Sequence, residues 1–117
     1  MAATHFLPLL VGHQSAAKLL LSGELISAEE AVRVGIVSEL TEDGNKCVER
    51  SLELAEKMAT NSSIAVKTTL LTLRSKSNEG LSSALQREAD AQAECYAADD
   101  LREGLEAVKN KRDPKFK

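Results

Sequence analysis

From Asp43 onward, apolar residues recur at the helical period almost without a break, and no other feature constrains the fold as strongly. Val48, Leu52, Ala55 and Met58 or Ala59 follow one another at i, i+4, i+7 and i+10 or i+11, which draws a single apolar stripe along a helix of about four turns. Asn61-Ser62-Ser63 interrupts the stripe and supplies hydroxyls to cap the next helix. There Val66, Leu70 and Leu73 repeat the spacing, flanked by Ile64, Ala65 and Leu71, until the polar run Ser75 to Asn78. Leu81, Ala84, Leu85, Glu88, Gln92, Cys95 and Tyr96 mark a longer helix whose face turns partly polar in its middle. A last helix, with Asp99 or Asp100 expected as its cap, carries Leu101, Leu105 and Val108 on one side and Lys109, Lys111 and Arg112 at its end.

The first third is punctuated by Gly12, Gly23 and Gly35, each just past a stretch that suits one short helix. Glycine enters the left-handed region cheaply, so these positions predict helix stops. Ala17, Leu20 and Leu21 lie on one face of the segment that Gly23 closes. Ser27-Ala28-Glu29-Glu30 matches the capping box, in which the Ser oxygen accepts from the third N–H and the Glu carboxylate reaches back to the cap. The helix it opens ends at Gly35, with Ile36-Val37 placed to give a Schellman stop its apolar contact, and Ile36 to Leu40 is expected to run extended. The fold class expected is mainly α: six or seven helices, at most one short strand, and no repeat of fixed period. Residues 1–40 form short helices with the possible strand, and residues 41–117 form a helical region.

Charge and aromatic content narrow the function. The net charge of −3 is split between a balance of +4 in residues 109–117 and −7 in the 108 residues before them, an acidic body with a basic tail. That balance argues against a general nucleic-acid binder, and with Phe6, Tyr96 and Phe116 as its aromatic residues the chain lacks a stacking platform for bases. The apolar run Phe6 to Val11 is broken by Pro8, is too short to span a bilayer, and follows no cationic n-region. Cys47 and Cys95 have neither CxxC spacing nor His neighbours, and are expected to be reduced thiols of an intracellular protein.

Leu7-Pro8-Leu9-Leu10-Val11-Gly12, then Ala16 to Ala31 with Leu21-Ser22-Gly23 and Ser27-Ala28-Glu29-Glu30-Ala31, then Val34-Gly35-Ile36-Val37, follow one another in an order and spacing that resemble the enoyl-CoA hydratase/isomerase (crotonase) family. That family has an LPRLVG-like turn, a helix ending in LTG, a capped SA-x-EA helix and a GLV exit. The resemblance continues through Glu56 to Ser62 and into Asp99-Asp100-Leu101-Arg102-Glu103-Gly104-Leu105-Glu106-Ala107, so it covers practically the whole chain. It implies the helical C-terminal portion of the crotonase (ClpP/crotonase-like) fold, lacking most of the β-spiral core. In the family the oxyanion hole and the paired Glu side chains that add water to an enoyl thioester lie upstream of such a segment, and no residue here corresponds to them. The resemblance therefore implies no catalytic residue and a chain inactive by itself. Met1-Ala2-Ala3-Thr4 stands where many members have a Gly pair before Thr, which puts a close approach of the acyl chain to this backbone in doubt.

The same resemblance implies a binding role. The family's last helices form its oligomer contact and lie over an active site, where a basic end meets coenzyme A phosphates. Lys111 and Arg112 match the "KR" end, Lys111 being the expected phosphate contact. Val108 occupies a position at which many members place a Phe against the ligand. A coenzyme A thioester, substrate of the parent enzyme, is the ligand implied, with no covalently bound cofactor. The competing explanation is that cations in the last turn of a helix complement its macrodipole, for about 0.3 to 1 kcal/mol each, without any ligand.

Other chemistry-bearing residues have structural explanations. Glu29 and Glu30 suit a first helical turn. Asp99, Asp100 and Glu103 lie at another helix start with no further oxygen ligands converging in sequence, and His5 and His13 lack zinc-site spacing, so no metal site is expected. Cys95 beside Tyr96 suits core or interface packing. A homo-oligomer is expected, because Leu19, Leu20, Ile26, Ile36 and Val37 would lie open without the sheet that such helices cover. Acyl-CoA is the small-molecule partner implied, with neither nucleic acid nor a membrane span. The rival class is a non-catalytic helical interaction module. Mitochondrial, peroxisomal and cytoplasmic placement stay open.

Overall fold

Seven helices account for the chain in the computed structural model, which describes residues 1–116. They are α1 (Ala3–Val11), α2 (His13–Ser22), α3 (Ala28–Val34), α4 (Gly44–Ala59), α5 (Ser63–Asn78), α6 (Leu81–Ala97) and α7 (Asp99–Lys109), with no strand among the described residues. They divide into two units, Ala3–Leu81 and Met1–Ala2 with Ser82–Lys117.

In the unit Ala3–Leu81, α1 and α2 meet across a single residue. Gly12, at φ 77°, donates to the Pro8 carbonyl and accepts from Ala16, so the chain reverses while both helix ends stay bonded. Ala16 is buried where the two helices pack. His5 Nε2 lies 2.7 Å from the Ser77 carbonyl oxygen and ties the start of α1 to the end of α5. The stop of α3 is a full Schellman motif: Gly35, at φ 89°, donates to the Val32 carbonyl and Ile36 to the Ala31 carbonyl.

Around α3 the local expectations change. Ser27 Oγ accepts the Glu30 N–H at 3.2 Å, but the Glu30 carboxylate does not return to the cap; it forks onto Arg33 Nε and Nη2 three residues on. A cation in the next turn competes for the carboxylate, and the charge-assisted fork prevails over one backbone N–H. Nor do Ile36 to Leu40 form a strand. The Ile36 and Val37 N–H groups both turn back to the Ala31 carbonyl, leaving bends. Glu39 is then held by Arg50 of α4 at 3.0 Å.

Helix α5 is capped from within the Asn61-Ser62-Ser63 run expected to cap it, Ser62 accepting from the Ala65 N–H at 3.5 Å, and α4 is capped by Asp43, which accepts from the Lys46 N–H at 2.9 Å. Their stripes, however, are uncovered: Val48, Leu52, Met58, Ile64 and Leu73 are all exposed. Of the five residues expected to lie open, Leu20 and Val37 do so, whereas Leu19, Ile26 and Ile36 are half-buried.

The other unit holds α6 and α7. Ala2, in the left-handed region at φ 66°, donates its N–H to the Glu88 carboxylate of α6. Its buried residues, Ala2, Ala84 and Ala107, are all small. The cap of α7 is Ala98, in extended geometry and with no side-chain acceptor; Asp99 and Asp100 sit one and two positions later, inside the first turn, where their charge favours the helix end. Cys95 and Tyr96 are exposed rather than packed in a core.

Candidate functional site

The end of α7 gathers the residues that the sequence singles out. Leu101, Leu105 and Val108 share one face, with exposure rising from 39% to 63% to 79% toward the C-terminus. They line a groove of about 440 Å³ whose other walls are Asp100, Gly104, Ala107, Arg112, Pro114 and Phe116. The groove exists because the chain does not run on past the helix but folds back along it.

That reversal is a second Schellman motif, built without glycine. The Lys111 N–H bonds the Val108 carbonyl at 3.2 Å and the Arg112 N–H bonds the Ala107 carbonyl at 3.0 Å. The left-handed position is filled by Lys111, at φ 51°. A side chain there costs roughly 1 kcal/mol relative to glycine, so the surrounding bonds must hold it. Asn110 assists by donating its side-chain amide to the Glu106 carbonyl at 2.9 Å.

Glu103 anchors the returning tail. Arg112 forks onto its carboxylate, Nη1 to Oε1 at 2.6 Å and Nη2 to Oε2 at 2.9 Å, and the Lys115 N–H reaches Oε1 at 2.7 Å. The Arg112 guanidinium, helped by that N–H, holds the Glu103 carboxyl down at about 2, and Glu103 in turn raises Arg112. Phe116 then lies over Gly104, where an added Cβ would stand 3.9 Å from the ring.

Val108 and Arg112 therefore line one groove, while Lys111 stands at the turn beside it. Among the described residues, no carboxylate lies within 4.0 Å of the Lys111 ammonium, whereas Arg112 is committed to Glu103. Sequence reasoning placed Glu103 at a helix start and missed this role. The available signal was an acid beside a glycine on α7, with a Lys-Arg-Asp-Pro turn and a Phe close behind.

A family model described as enoyl-CoA hydratase/isomerase matches residues 1–117. The chain belongs to that family. It is 35% identical over 116 residues to the probable enoyl-CoA hydratase of Bacillus subtilis, covering 99% of this chain and 45% of that protein. It is 36% identical over 107 residues to the 2,3-dehydroadipyl-CoA hydratase of Escherichia coli, covering 92% and 42%. Among solved structures, the enoyl-CoA hydratase/isomerase from Pseudoalteromonas atlantica superposes with a TM-score of 0.87 at 33% identity, over 99% of this chain and 46% of that one. The chain thus spans less than half the length of these relatives, and its helices are a portion of the crotonase fold. Among the described residues, no helix is long and apolar enough to cross a membrane.

Proposed function

We propose that this chain is the part of an enoyl-CoA hydratase/isomerase that contacts coenzyme A and forms assembly contacts, and that it contributes no catalytic residue of its own. Lys111 and Val108 make the ligand contact, Lys111 as a solvated point charge for a phosphate and Val108 with the groove beside it for an apolar part of the thioester, while Arg112 stands at the same turn as part of the site. The carrying observation is the Lys111 ammonium, without a carboxylate partner among the described residues and held at a strained backbone position next to an open apolar groove. The assembly role is supported by the uncovered stripes of α4 and α5.

Titration with coenzyme A tests the ligand contact. Lys111→Ala should weaken binding by about tenfold, as loss of a charged partner does. Lys111→Gly removes the same ammonium but relieves the left-handed strain, so it should lose binding equally while unfolding at a higher temperature than Lys111→Ala. Binding unaffected by both substitutions would refute the contact. The second reading, a helical interaction module, is favoured by the same open faces. Absence of coenzyme A binding, together with capture by a full-length member of the family, would support it.

A further inference from the structure

We infer that Glu103 is the positioning residue of this site, and that Arg112 serves it as a clamp on the tail rather than as a ligand to phosphate. The inference rests on the reading of the α7 end as a coenzyme A contact and assigns unlike tasks to two neighbouring cations. Three bonds converge on one carboxylate: both terminal nitrogens of Arg112, at 2.6 and 2.9 Å, and the Lys115 backbone N–H at 2.7 Å. Together they use both oxygens of Glu103, whose side chain is only 24% exposed.

The closure determines where Lys111 stands. Arg112 is bonded at its backbone to Ala107 and at its side chain to Glu103, so the residue before it is fixed from the far side. Lys111 must then take up the left-handed position that it would otherwise leave. The Lys115 bond brings the next residue, Phe116, down over Gly104, and the ring becomes one wall of the groove beside Val108. Without Glu103 the tail beyond Arg112 loses its hydrogen-bonded anchor on α7, and both the cation and the apolar wall are held less firmly. A guanidinium already forked onto a carboxylate has few donors left for a phosphate, and it keeps one of those, Nη1, turned to the Asp113 carbonyl at 3.1 Å.

The test is coenzyme A titration of the 117-residue chain and of Glu103→Gln, with amide hydrogen exchange followed at Lys115 and Arg112. Clamping predicts that Glu103→Gln binds about fivefold more weakly, the effect of losing one charge-assisted fork at a partly exposed site. It also predicts faster exchange at Lys115 with the helical circular dichroism unchanged. Arg112→Lys, which keeps the charge and discards the fork, should likewise speed exchange at Lys115. If Arg112 were itself the phosphate ligand, releasing it from Glu103 by Glu103→Gln would leave binding unchanged or strengthen it; either result, or a Lys115 amide that stays protected, overturns the inference. Should Glu103→Gln fail to fold, the Lys115 amide of Arg112→Lys decides: faster exchange supports the clamp, and unchanged protection overturns it. Failure of the unsubstituted chain to bind coenzyme A overturns the ligand reading and this inference together, whereas binding that is indifferent to Glu103→Gln overturns this inference alone.

Discussion

At the level of single residues, the chain keeps side chains in backbone positions that glycine fills more cheaply. Ala2 and Lys111 both lie at positive φ, each beside a carboxylate that ties the neighbouring backbone: Glu88 for Ala2, and Glu103, through Arg112, for Lys111. The second tie has a definite acid limit. Arg112 and the Lys115 N–H lower the Glu103 carboxyl from 4.5 to about 2, so the folded tail binds this proton less readily than the open chain does. Its contribution is complete above pH 4.5 and is lost as pH falls through about 2. Hydrogen exchange at the Lys115 amide, corrected for its intrinsic pH dependence, should show constant protection from pH 7 to 5 and a decline between 4.5 and 2. Loss of protection already at pH 6 would mean that some other group holds the tail.

At the level of helices, capping chemistry explains both what the sequence reveals and what it conceals. Asp43 and Ser62 cap α4 and α5, and Gly35 stops α3, because each acts on groups within four residues of itself. Glu30 was harder to foresee, since its spacing suits both a capping-box bond to Ser27 and a fork with Arg33, and the fork is what forms. The pairing of Glu103 with Arg112 spans nine residues and depends on Lys111 taking an unfavoured φ, which no local pattern announces. Lys111, Arg112 and Val108 were nominated through family resemblance, whereas the bond of Glu103 to Arg112 was not foreseen. Helix α7 also begins without a side-chain acceptor although Ala98 already has cap geometry. Ala98→Ser should therefore stabilise α7 by about 1 kcal/mol, visible as slower exchange of its first-turn amides. No change would show that the end of α7 is satisfied some other way.

For the whole molecule the governing fact is that no large side chain is fully buried among the described residues. Ala2, Ala16, Ala84 and Ala107 are the buried hydrophobics among the described residues. Helices whose stripes are legible in sequence but uncovered in structure have the character of a layer made to lie on other surfaces, and the assembly role proposed above supplies such surfaces. That account is tested most directly by the molar mass of the 117-residue chain in solution, measured by light scattering across a dilution series. It predicts a mass above 12.6 kDa that persists into the low micromolar range. A monomer of 12.6 kDa that unfolds cooperatively, with no exposed apolar surface available to a hydrophobic dye, would contradict it.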